Sequence, residues 1–281
     1  MKHLIEQLES LTGALAETSA SPSYEVSKSR GWNVPGKNIL GKAQVADLAF
    51  VRNNAVVKNN AIVGGNAEVR NNAVVKDKAL VTGRALIRDM AVVSGKSRVE
   101  GSAIVRDRAR VQGSAVVKND ATVMKKAVVK DNAQVLYKSI VTDSAVVEGD
   151  AIVSTEGMRG VEKNAVVGGF ARVIGSAIVT GDARVEGRAR VSERAFVQDG
   201  ATVRGAADVY GSALIAGDAV VEGRAKVGGR AEVDGDAVVK GNARIRGDAG
   251  ILGGTWDGSE GEVIQGEWKS PKDYLAWKNN Q

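Results

Sequence analysis

The sequence predicts an all-β chain wound into one long, single-stranded parallel β-helix, and three observations predict it. A small residue and an aliphatic residue, two apart, recur every six positions along most of the 281 residues. Glycine, asparagine or aspartate stands two residues after almost every aliphatic. The apolar residues are dominated by alanine and valine, and only 4% of the chain is aromatic, so the core must be narrow.

The repeat is plain in Ala55-Val56-Val57, Ala61-Ile62-Val63, Ala67-Glu68-Val69 and Ala73-Val74-Val75. It starts near Ile39, holds from Ala43 to Val153, resumes at Val161 and runs to Ile251. Residues two apart on a strand face the same side. Alanine and valine therefore point inwards together, and the residue between them points out. Three such strands, one from each of three consecutive hexads, make one coil of a triangular prism. The triplets from Lys37 to Val153 and from Arg159 to Ile251 make 36 hexads, or 12 coils. At about 4.8 Å between stacked strands, the prism should be roughly 55–60 Å long. Ser154 to Met158 add two residues to one hexad and predict a small outward loop.

The residue two after each inward valine reads Asn53, Asn59, Gly65, Asn71, Asp77, Gly83, Asp89. These types adopt positive φ at least cost, so each hexad is a short strand followed by a tight corner. Lys125, Tyr137, Lys163 and Glu193 break that rule and predict strained or altered corners.

On this Ala-x-Val hexad the chain resembles the hexapeptide-repeat, left-handed parallel β-helix superfamily, over residues 37–251. The left hand comes from that resemblance alone, because parallel crossovers are ordinarily right-handed. The resemblance also implies a trimer with parallel prism axes. Many members are acyltransferases in which a histidine acts as base on the acceptor, and related carbonic anhydrases hold a metal with three histidines. Here the only histidine is His3, outside the repeat, so no catalytic or metal position carries over. There is no cysteine either, which excludes disulfides and thiol chemistry. No enzyme activity, cofactor or metal is expected.

Residues 1–17 place Leu4, Leu8, Leu11 and Leu15 on one face and predict an amphipathic helix; residues 18–36, with Trp32, read as a linker. Residues 37–253 form the β-helix, with its loop at 154–158. Residues 254–281 form an aromatic cap. There, Gly254-Thr255-Trp256 and Gly266-Glu267-Trp268 suggest a hairpin, and Ser270-Pro271 opens a terminal helix. Trp256, Trp268, Tyr274 and Trp277 either close the open end of the β-helix or recognise a protein partner, and closure is favoured.

Outward residues sort into three faces. One carries Val56, Val74, Val92, Val128 and Val146; a second carries Leu86, Ile104 and Ile140. Apolar rows of that length usually mark an interface, here between copies of the chain. The third face begins with Ile62 and Leu80 and turns basic with Arg172, Arg190, Lys226 and Arg244, which could hold phosphate or another polyanion. Without interleaved aromatics, nucleic-acid recognition reads as weak, and a solubilising face is favoured. Asp89, Asp107, Lys125 and Asp143 should stack along one corner as a solvated ladder. The Thr-x-Thr arrays of ice-binding β-helices are absent.

The sequence thus predicts a non-catalytic structural or interaction protein, a rigid oligomeric rod; the resemblance to hexapeptide-repeat proteins implies a bacterial or phage type, serving as virion or surface component or as scaffold. A divergent acyltransferase without the usual histidine and a polyanion-binding protein are the alternatives. No apolar run approaches the length of a membrane span, and the N-terminus lacks the regions of a signal peptide. A cytoplasmic or virion-associated protein is therefore expected, without membrane contact.

Overall fold

The computed structural model of the chain describes residues 38–46, 48–155 and 160–281. The helix expected at 1–17, His3, and the linker at 18–36 with Trp32 lie outside the described residues. The rest is a β-solenoid with three parallel sheets, one along each side, and a short C-terminal helix.

Each sheet contains thirteen short strands, and each strand pairs with those one coil before and after it. The first sheet starts at Ile39–Gly41, the second at Gln44–Val45 and the third at Phe50–Val51. Register is held at three hexads, so each residue stacks on its counterpart one coil on. Examples are Val56↔Val74↔Val92 on the first sheet and Leu86↔Ile104 on the third. A one-residue slip would turn every inward alanine and valine to solvent, so burial itself pins the register.

Backbone bonding follows one scheme. The amide of Val56 donates to the Ala73 carbonyl of the next coil at 2.8 Å, and that of Asn60 donates to Asp77 at 2.8 Å. Within the corner, the Ala55 amide donates back to the Arg52 carbonyl at 3.2 Å. The inward alanines and valines from Ala55 to Ile251 are buried throughout, forming one continuous core. Ser97 and Ser139 replace alanine in two hexads and are also buried. Each satisfies its hydroxyl locally: Ser97 Oγ donates to the Ser94 carbonyl at 2.8 Å, and Ser139 Oγ to Leu136 at 2.6 Å.

Of three expectations, one is met in part and two meet a different outcome. First, the four residues that break the corner rule are strained as expected, but they do not alter their corners. Lys125, Tyr137, Lys163 and Glu193 adopt φ of 58°, 58°, 56° and 62°, matching their glycine, asparagine and aspartate counterparts. Inter-coil bonding dictates the turn, and the side chain bears the left-handed strain. Lys163→Asn should therefore stabilise the chain by about 0.5–1 kcal/mol, read as a higher urea midpoint. The Lys163 amide bond to Asp143 Oδ2, 3.3 Å, survives that change.

Second, Ser154 and Thr155 are not loop. They extend the strand Ile152–Thr155, which pairs in register with Gln134–Tyr137 on one side and Arg172–Gly175 on the other. Thr155 is buried, and its amide donates to Ser139 Oγ at 2.8 Å. The rest of the insertion, 156–159, lies outside the described residues.

Third, the aromatic tail makes no hairpin. Thr255–Trp256, Glu262–Val263 and Glu267–Trp268 each pair in parallel with a strand of the twelfth coil, at Val239↔Trp256, Ile245↔Val263 and Ile251↔Trp268. They form a thirteenth coil with tryptophan in two of its three inward slots. Trp256 and Trp268 each arrive one residue short of three full hexads, whereas Val263 keeps the full spacing. That irregularity hides the coil from a strict hexad count. At about 4.8 Å per coil, thirteen coils span about 62 Å.

The helix α1 (Pro271–Lys278) follows. Ser270 caps it: its Oγ accepts the Asp273 amide at 3.3 Å and donates to the Asp273 carboxylate at 2.8 Å. Tyr274 extends from α1 into the core cluster.

Candidate interaction surfaces

A short strand between two corners offers three outward positions: the residue before the inward alanine, the one between alanine and valine, and the one after valine. Each side of the prism therefore carries three columns, rising one coil at a time.

On the first face the central column holds Val56, Val74, Val92, Val128 and Val146, interrupted by Arg110. On the third face Leu86, Ile104 and Ile140 stack, interrupted by Thr122. All eight predicted apolar residues are half-buried in the single chain, because each is flanked by its column neighbours above and below. The third face also has an edge column of arginines, Arg52, Arg70, Arg88 and Arg106, which sequence inspection missed. Glu68 lies between the first two, 3.7 Å from Arg52 Nη1 and 3.8 Å from Arg70 Nε.

The second face holds the predicted basic column. Arg172, Arg190, Lys226 and Arg244 are exposed and share one column, with Asp208 between Arg190 and Lys226. The column before the inward alanines adds Arg188 and Arg224, both exposed. The face also carries two aromatics, one on each edge. Phe170, 60% exposed, shares the edge column of Arg188 and Arg224. On the opposite edge, the Tyr210 ring occupies the space that a side chain at Gly228 would need. None of these four was singled out from the sequence. Reading the residue before each inward alanine at a period of three hexads would have found Phe170, Arg188 and Arg224.

A groove of about 530 Å³ opens beside the strand extension, lined by Tyr137, Ser154, Ile174, Arg190 and Ser192, with Gly175 and Glu193 at the corner. Two of the four strained corner residues, Tyr137 and Glu193, lie at its edge.

The corner ladder is present. Asn71 Nδ2 donates to Asp89 Oδ1 at 2.8 Å, the Lys125 amide to Asp107 Oδ2 at 3.0 Å, and Lys125 Nζ to Asp143 Oδ1 at 2.5 Å. The Lys125 ammonium holds the Asp143 carboxyl below the usual carboxylate range. On the neighbouring corner the Gly95 amide does the same to Asp77, at 3.2 Å. These carboxylates accept backbone and side-chain donors from adjacent coils, so they act as rungs. No group of three or more metal-ligating side chains occurs among the described residues.

The four tail aromatics come together at the C-terminal end. Trp256 is fully buried, and its indole donates to the Gly253 carbonyl at 2.9 Å. Tyr274 meets Trp256 at 5.9 Å and the edge of Trp268 at 5.3 Å; Trp277 meets Trp268 at 5.2 Å. The Tyr274 hydroxyl donates to the Glu262 carbonyl at 3.0 Å, and Lys278 Nζ to Glu260 at 3.0 Å. These contacts face the last coil, so the cluster serves as the end of the core.

Fold and surfaces together define a β-solenoid whose distinguishing features lie on its outer faces. No protein-family model matches the chain, and no curated protein matches its sequence. No helix among the described residues is long and apolar enough to cross a membrane.

Proposed function

We propose that the protein is a non-catalytic rod that self-associates through its first and third faces, a structural or scaffolding component of the bacterial or phage hexapeptide-repeat type. The observation that carries this reading is the pair of apolar columns on a surface the prism itself cannot bury. Valine and isoleucine also suit exposed strands. Columns continued over many coils on two of three sides, however, are what a parallel association of prisms would cover. A trimer uses two faces of each chain and leaves the second, charged face to solvent. The absence of imidazole from the repeat supports a role without acid–base chemistry.

The test is Val74→Asp combined with Val128→Asp. Both side chains point outwards from one column, so the fold should survive. Burying a carboxylate in each interface should disperse the assembly to monomers in light scattering. An unchanged mass would remove the apolar column as the interface.

A further inference from the structure

We propose that the second face of coils 8 to 12 binds single-stranded nucleic acid. It needs only that this face stay outside the self-association interface, as the trimer reading has it. Coil 8 begins at Val166–Val167 and coil 12 at Val238–Val239.

Six cations share this face: Arg172, Arg188, Arg190, Arg224, Lys226 and Arg244. All are exposed, and none has a carboxylate within 4 Å among the described residues. On the other faces of the same coils Arg184 pairs with Glu186 at 3.5 Å, Arg204 with Glu222 at 2.6 Å and Arg230 with Asp248 at 2.7 Å, while Arg194 and Lys240 stand without an ion pair among the described residues. Arg246, at the margin of the face, pairs with Glu262 at 2.6 Å. Unpaired cations are thus most numerous on this face, six against Arg194 and Lys240 on the other two, which is not how a surface arranged only for solubility would mix its signs.

The geometry suits a flexible polyanion. Central-column neighbours lie about 4.8 Å apart, and the second column runs about 7 Å to one side, so the strip is about 19 Å long. A duplex is a convex cylinder and would meet a flat face along one ridge, whereas a single strand can lie along both columns. The aromatics decide between polyanions. Phe170 stands at one end of the strip beside Arg172, and Tyr210 lies midway along its far edge, over Gly228. A base can stack on such rings, and a sulfated glycan gains much less from them. Asp208 is the one acid in the central column of these coils, and its Oδ1 is buried without a hydrogen-bond partner.

The experiment uses the full chain and a fluorescent oligothymidylate, with anisotropy read over a salt series. Binding at low salt is expected to weaken with salt at a log–log slope near −4, from about six cations at ~0.7 each. Arg172→Glu with Arg190→Glu should weaken binding about tenfold or more and flatten the slope. Phe170→Ala should weaken it about tenfold with the slope unchanged. Asp208→Asn should tighten it. Absence of salt-sensitive binding overturns the proposal. So does heparin binding equally well while Phe170→Ala has no effect, which would make the face a general polyanion surface. Light scattering on the same variants separates the two readings. A loss of mass in the arginine variant would make this face an interface and overturn the proposal, whereas an unchanged mass in the Val74, Val128 variant defeats only self-association.

Discussion

Gly95→Val is expected to lower the unfolding free energy by about 3 kcal/mol or more, enough to break the solenoid into poorly coupled halves. Gly95 stands at the corner after the fourth strand of the first sheet, at φ 75°. A β-carbon there would lie 2.5 Å from the Gly113 carbonyl oxygen and 2.9 Å from its amide nitrogen, both backbone atoms of the next coil. Neither can move without lengthening the inter-coil ladder. The β-branched side chain adds the strain of a left-handed backbone. Gly95→Asn is the control, since asparagine and aspartate already occupy equivalent corners at Asn59, Asp77 and Asp131. Its cost should be clearly smaller. Both variants carry the β-carbon, so the difference between them isolates the branched side chain; denaturation midpoints close to the parent for both would show that the corner relaxes, and that stacking does not limit it.

Trp256→Ala should cost about 3–5 kcal/mol, the range for emptying a large buried site. The loss should be local. In a solenoid each coil touches only its neighbours, so removing the largest side chain from the thirteenth coil unzips the end before the middle. Hydrogen exchange should quicken in the last two coils and in α1, and stay slow around Val129. Trp277→Ala, at a partly buried position on the cluster's outer side, should cost less. Equal protection of both ends in Trp256→Ala would mean that the aromatic cluster does not terminate the core.

Most of the fold was legible because a β-helix repeats one local decision. Alanine and valine at a spacing of two specify which way each strand faces, and the glycine, asparagine or aspartate that follows specifies where it turns. The thirteenth coil was not legible as a hexad. Tryptophan replaced valine, glycine replaced alanine, and the spacings ran five, seven and five. The triplets Gly254-Thr255-Trp256, Gly261-Glu262-Val263 and Gly266-Glu267-Trp268 carry the signal when read as small-x-large units. Ser154 and Thr155 were misplaced because an insertion looks like a loop from its first residue, although sheet pairing on both sides holds the strand together for two residues more.

The surfaces were legible column by column and incomplete. Val74, Leu86 and Arg190 were found by following the central outward position, and each stands where that position places it. Phe170, Arg188 and Tyr210 escaped because they belong to flanking positions, whose facing depends on the corner rather than on the alternation within the strand.

The hexad alone settles coil number within the repeat, inward facing and corner conformation, since those follow from backbone geometry within six residues. Only the folded chain decides that lysine, tyrosine and glutamate can be driven into left-handed corners, that the aromatic tail completes another coil, and that unpaired cations gather with aromatics on one face. Each of those depends on contacts between residues a full turn apart, where stacked backbone bonding outweighs the preference of any single side chain.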